Sequence, residues 1–235
     1  MNVVDIIIVL ALAMSFIVGF KHGFIRQIVS FIGIILTYVV AYNLKGYLGN
    51  FFCQIFPFSR FSGPISGLTT LNIIIYELIA FIIIFGIIYV IYQVVINISK
   101  LFEKIIDMTI VLTLPSKLFG GLVALVEGYL LIFIVLILLS IPLRSTGLIE
   151  NSMLSNQVIY NTPIISSSAD NLINSIDETI NLTYKINKKK LTIDEANKEL
   201  LRIELKYKII DKDTAIKLNE RNKITIKNID ELFEE

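Results

Sequence analysis

Apolar residues fall along this chain in four long runs, and the few polar positions that interrupt them sit mostly near the run ends. The first run is Val3 to Phe20 and the second Ile28 to Tyr42. The third is Asn72 to Ile98 and the fourth Leu118 to Leu143. An α-helix rises about 1.5 Å per residue, so roughly 20 apolar residues cross a hydrocarbon core about 30 Å thick. Runs one, three and four meet that length. Run two is short until it is started at Gly23, with Arg26 reaching back toward the headgroups. The first run carries no basic residues ahead of it and no small-residue cleavage pattern, which predicts a retained helix and not a secretory signal. Helices one and two then form a tight hairpin around Lys21, His22 and Gly23. Helix four is predicted to begin just after Pro115, a residue tolerated in a first helical turn.

Between the runs the pattern changes. Leu44 to Leu71 carries Gly46, Gly49, Pro57, Gly63, Pro64 and Gly67 among six aromatic residues. This reads as an irregular loop anchored by rings at the membrane interface, with a re-entrant loop as the alternative. Ser99 to Leu112 spaces Lys100, Glu103, Lys104 and Asp107 opposite Leu101, Phe102, Ile105, Ile106 and Met108, which suits either a short interfacial helix or a water-facing connector. The fold class expected is therefore all-α: a multi-pass transmembrane bundle of about four helices with a small soluble helical C-terminal tail.

After residue 143 the pattern turns polar. Residues 144–187 are rich in Ser, Asn and Thr and read as a flexible linker with one short helix over Ala169 to Leu182. Residues 188–235 are expected to form a small helical tail domain. Thr192 and Glu195 make a capping box before the apolar face Ile193, Ala196, Leu200, Ile203 and Tyr207, and Asn228 with Glu231 offers a second box. So short a unit has a marginal core and is expected to dock on the membrane, the bundle or a partner.

Composition agrees with two solvents for the two parts. Hydrophobic residues make up 55% of the 235-residue chain, charged residues 17%, and the mean hydropathy is +0.75. The first 143 residues hold 7 Lys/Arg and 5 Asp/Glu, whereas the last 92 hold 14 and 15. A net charge of +1 so distributed offers no basic field for nucleic acid. One cysteine, Cys53, and one histidine, His22, suggest neither a disulfide nor a zinc site, and no cofactor is expected. Basic residues near the spans favour loops one and three (Lys21, Arg26, Lys100, Lys104, Lys117) over loop two and the stretch after helix four (Lys45, Arg60, Arg144). By the positive-inside rule both termini and the tail are expected outside.

Lipid supplies no hydrophobic force between helices, so small residues four apart on one face mark where helices meet. Helix one has Ala11, Ser15, Gly19 and Gly23; helix two has Gly33, Thr37 and Ala41; helix four has Gly120, Ala124 and Gly128. These are the residues expected to pack the bundle. Three acids lie within the spans. Asp5 and Glu77 are near helix starts, where water and the helix dipole hold a carboxylate at low cost. Glu127 sits about nine residues into helix four and is the candidate intramembrane functional acid. Two roles stay open for it: a hydrogen bond across helices, or an ion or proton site. No G-x-S-x-G, H-E-x-x-H or Walker A sequence is present, so no catalytic residue is assigned.

Several of these residues recur as short motifs. An acid early in helix one (Asp5) is followed by Gly19, by Gly23-Phe24-Ile25-Arg26-Gln27 and by Gly33, and later by Lys117-Leu118-Phe119-Gly120 leading to Gly128. In these features the chain resembles the colicin V production protein family of bacterial membrane proteins. Members carry a glycine-hydrophobic-hydrophobic-Arg-Glu/Gln turn and a later basic-x-x-Gly-x-x-x-Gly-x-x-Arg-Gly pattern. Here Ala124 stands at the second glycine and Glu127 where the arginine is common, so no role resting on that arginine carries over. The resemblance covers residues 1 to about 145. It implies a multi-pass protein of the bacterial cytoplasmic membrane, associated with production or export of a peptide toxin and with envelope upkeep; with no hydrolase motif in the chain, a non-enzymatic role is expected. Protein partners or self-association within the lipid are expected; the alternative is a small homo-oligomeric channel or proton-coupled transporter.

Overall fold

Helices account for nearly all of the described chain, and no strand occurs among the described residues. The computed structural model describes residues 2–62, 66–103, 114–140, 147–149, 151–161, 165–188 and 190–233. The helices are α1 (Val3–His22), α2 (Phe24–Ile55), α3 (Leu71–Glu103), α4 (Leu114–Ser140), α5 (Met153–Asn161), α6 (Ile165–Asn187), α7 (Ile193–Lys206) and α8 (Lys212–Glu220), followed by a 3-10 turn over Ile229–Phe233. Four of them, α1 to α4, are long and apolar enough to cross a membrane. The all-helical membrane architecture expected from the hydropathy pattern is the one observed.

Several boundaries differ from the sequence reading. Residues 44–55 are not part of a loop but continue α2, which runs for 32 residues. Gly46 and Gly49 misled, because glycine costs a helix only about 1 kcal/mol and packing overrides it. At about 48 Å, α2 exceeds the hydrocarbon thickness by several turns. The non-helical part of the segment is held by Asn72, whose side chain accepts from Ser59 N at 2.8 Å and donates to Ser59 O and Thr69 O, and by the Tyr76 hydroxyl, which donates to Pro57 O at 2.6 Å. Helix α3 extends to Glu103, so residues 99–103 prolong a span; the rest of the expected interfacial segment, 104–112, lies outside the described residues. Pro115 falls at the second residue of α4, within its first turn. In the expected linker, α5 and the 23-residue α6 are helical, well beyond the single short helix anticipated.

The chain divides into two compact units. The first comprises Met1–Val40 and Phe85–Ser167, the second Ala41–Ile84 and Ser168–Glu235, so α2 and α3 contribute residues to both. Within the first, α1 packs along α4, and α5 packs against both. Within the second, α7 buries Ala196, Leu200, Leu201 and Ile203. Thr192 and Glu195 close the capping box: the hydroxyl accepts from Glu195 N at 3.3 Å and the carboxylate accepts from Thr192 N at 2.8 Å. Helix α8 is capped by Asp211, which accepts from Thr214 N at 2.7 Å. At the second expected box, the Asn228 side-chain amide donates to the Glu231 carboxylate at 2.8 Å and starts the 3-10 turn.

Candidate functional site

The small residues of α1 and α4 face each other. A Cβ built on Gly19 would collide with the Ala124 methyl and the Gly120 carbonyl. A Cβ on Gly120 would come within 2.6 Å of Gly19 O and Gly23 C, and one on Gly128 would strike Ser15. The two ladders therefore form one interface in which backbones nearly touch. Ser15 returns its hydroxyl to Ala11 O at 2.9 Å, so no polar group is left open to lipid there. The ladder on α2 serves a different neighbour: Gly33 leaves room for the ring of Tyr92 on α3, whose hydroxyl donates to Val29 O at 2.7 Å. Thr37 is buried and donates to Gly33 O.

Gly23 ends α1 at φ 79° and ψ 169°, a conformation open essentially to glycine alone, and makes the hairpin into α2. Here the two motif segments meet. Phe24 N donates to the Ser116 hydroxyl at 3.3 Å, and the rings of Phe24 and Phe119 sit edge to face at 5.8 Å. Arg26 is exposed and Lys117 half-buried.

Gln27 is turned inward, 4% exposed, and donates through Nε2 to Glu127 Oε2. The Ser30 hydroxyl donates to Glu127 Oε1 at 2.9 Å. Both oxygens of the half-buried Glu127 carboxyl are thus engaged by α2, one turn apart. The sequence signal for Glu127 was its depth; Gln27 and Ser30 could not be paired with it across about a hundred residues. Gln27 Oε1 is buried without a hydrogen-bond partner.

Asp5 is buried and does more than sit in a helix dipole. It accepts from Asn2 N at 2.7 Å, from the Ser152 hydroxyl at 2.5 Å and from Leu154 N at 3.0 Å. One carboxylate closes the first turn of α1 and the first turn of α5. Asn2 adds a bond from its side-chain amide to Leu148 O.

In the second unit, the four-residue ladder of α2 runs on past Ala41 through Lys45, Gly49 and Cys53, all buried. A Cβ on Gly49 would lie 3.1 Å from Glu77 Cα, so α2 and α3 approach closely and Lys45 pairs with Glu77. Glu77 is 2% exposed, and it is this ion pair, not interfacial water, that accommodates it. Lys45 accordingly belongs to a helix and not to loop two. Lys223 closes the C-terminal end of α2, donating to Cys53 O at 2.7 Å, Gln54 O at 2.8 Å and Phe56 O at 2.9 Å. Burial pulls its ammonium below the usual lysine range. Asn197 of α7 donates to Gly67 O at 2.9 Å and accepts from the Thr70 hydroxyl at 2.8 Å. The tail domain is therefore docked on the ends of α2 and α3. No group of His, Cys, Asp and Glu among the described residues has the geometry to hold a metal ion.

Comparison with known proteins agrees with the motif positions. No curated protein and no solved structure matches the chain. Residues 4–163, which include Asp5, Gln27, Glu127 and α5, match the family described as colicin V production protein. With about two thirds of its length so matched, and with the family's motif segments meeting at the Gly23 hairpin, the chain belongs to the colicin V production protein family.

Proposed function

We propose that this membrane protein is a non-enzymatic component of the bacterial cytoplasmic membrane that supports production or export of a peptide toxin, or envelope homeostasis, by binding protein partners. The observation that carries the reading is how the intramembrane polar groups of the family region are used. Glu127 is engaged through both oxygens by Gln27 and Ser30, and Asp5 through three donors. Groups so committed fix helix positions and leave little freedom for transport chemistry. The family supplies the connection to toxin production; the bundle supplies a rigid intramembrane surface on which partners can assemble.

A small homo-oligomeric channel or proton-coupled transporter is the second reading. It is favoured by the half-exposure of Glu127 and the open acceptor on Gln27 Oε1. Orientation follows the basic-residue bias of the loops, five residues against three. Both termini and the tail are placed outside. Crosslinking in native membranes followed by purification separates the readings: a defined second protein recovered in fixed ratio supports the first, and a homo-oligomer alone supports the second. Single cysteines at Ser168 and Lys104 in a Cys53→Ser background test orientation with an impermeant maleimide on intact cells. Labelling at position 104 with protection at 168 would reverse it.

A further inference from the structure

Glu204 has no role in anything described above, yet it is the most completely enclosed acid in the second unit. It lies on the buried stripe of α7 seven residues after Asn197, is 0% exposed, and neither of its oxygens has a hydrogen-bond partner. Glu77, on α3, is within electrostatic reach of it and has one oxygen, Oε2, equally unpartnered. Among the described residues, the cation paired to either carboxyl is Lys45, bound to Glu77. Cys53 of α2 lies within reach of both acids, and Lys223 lies near Cys53. Lys223 is committed to three carbonyls at the end of α2. Of the other acids in this unit, Glu178 is paired with Lys206 and Tyr207, and Asp211 takes the amide of Asn50 on α2.

Two buried carboxyls and one ammonium, already paired with Glu77, leave one negative charge without a counterion. We propose that Glu204 is a proton-binding site, and that its proton latches the tail domain onto the α2–α3 hairpin. A protonated Glu204 leaves the enclosure neutral, with Lys45 matched to Glu77, and supplies an O–H donor suited to the open oxygen of Glu77. An ionised Glu204 has no cation and repels Glu77.

The direction of the pH effect follows. Burial, reinforced by the Glu77 charge, holds the Glu204 carboxyl well above its ordinary 4.5 in the docked tail. Once α7 lifts, water returns it to the ordinary carboxylate range. The docked form therefore holds a proton that the lifted form releases. Docking is strongest below the ordinary glutamate value and weakens as pH rises from there, until Glu204 ionises even when docked. Binding of one proton limits the slope to about tenfold in the docking equilibrium per pH unit. A membrane-face device of this kind would release the tail on the alkaline side and hold it on the acidic side.

The test uses the full-length protein in lipid nanodiscs, with hydrogen exchange in α7 measured across neutral and mildly alkaline pH and corrected for the intrinsic exchange rate. Wild-type protection should fall by up to about tenfold per pH unit. Glu204→Gln, which keeps the shape of the protonated acid, should be protected equally at every pH, as should Glu204→Met, which removes the carboxyl altogether. Loss of a Glu204-dependent protonated-carboxyl band from the infrared spectrum of the Gln variant at neutral pH would be the matching spectroscopic sign. Flat protection in the wild type overturns the proposal. So does a slope that persists in either variant, or the absence of any such band from wild-type protein.

Discussion

The α1–α4 interface and the α2–α3–α7 enclosure solve the same problem, holding helices together where water gives little help, with opposite chemistry. In the first, nothing larger than a methyl or hydroxymethyl group stands between the backbones at Gly19, Gly120, Ala124 and Gly128. Dispersion over a long close contact does the work, and each residue matters by what it lacks. In the second, the close approach at Gly49 brings charged and polar groups together: Lys45 with Glu77, Lys223 with three carbonyls, Asn197 with Gly67 and Thr70. There each residue matters by what it binds. The first region should fail when something is added, the second when something is removed.

The sharpest break is expected at Gly19. Leucine there would have to pass through Ala124 and the Gly120 carbonyl, so the bundle should lose its fold in mild detergent. Ile17→Leu, on a position 53% exposed to the outside of the bundle, should leave thermal stability nearly unchanged. Similar melting behaviour in the two variants would remove the close-contact account.

In the second region, Lys45→Met leaves Glu77 enclosed without its cation and should cost about 3 kcal/mol or more in denaturant unfolding. Adding Glu77→Leu should restore much of that loss, because a buried ion pair replaced whole by apolar groups is close to neutral. A double variant as unstable as the single one would show that Lys45 acts by some other contact. Lys223→Met should cost about 2 kcal/mol by leaving the last carbonyls of α2 unmet. Its signature is faster amide exchange confined to the end of α2 and the tail docked there. Asp5→Asn is a smaller change, about 1 kcal/mol, since the amide keeps one acceptor of two. Oδ1 serves both the Ser152 hydroxyl and Leu154 N, so the retained oxygen belongs there and the change should be read as early fraying of α1 at the Asn2 amide, with α5 and α4 unaffected.

The same contrast explains what could be read in the chain beforehand. Smallness at spacing four is a local pattern, so Gly19, Gly23, Gly120 and Gly128 were visible without knowing which helix met which. Span number and the Thr192 box were equally local. The enclosure was not visible, because its residues come from positions 45, 77, 204 and 223 and the extension of α2 was hidden by Gly46 and Gly49. One clue was present: Lys45, Gly49 and Cys53 continue the spacing of Gly33, Thr37 and Ala41, and a ladder that persists argues against a loop. Asn197 and Glu204 likewise fall on the apolar stripe of α7, where a polar residue needs a partner or a proton. The pairing of Glu127 with Gln27 and Ser30 needed the hairpin geometry at Gly23.

Glu127 is where the two chemistries touch, a hydrogen-bonding acid set beside a ladder residue, and it tests most directly whether the polar groups of the family region hold the bundle or carry protons. Glutamine keeps the acceptor for Gln27 and a partner for Ser30 but cannot exchange a proton. The measurement is complementation of a deletion strain by Glu127→Gln, scored beside the variant's abundance in the membrane. The account expects an abundant and fully active protein, with Glu127→Leu poorly assembled; an abundant Gln variant without activity would contradict it and establish the proton-coupled reading instead.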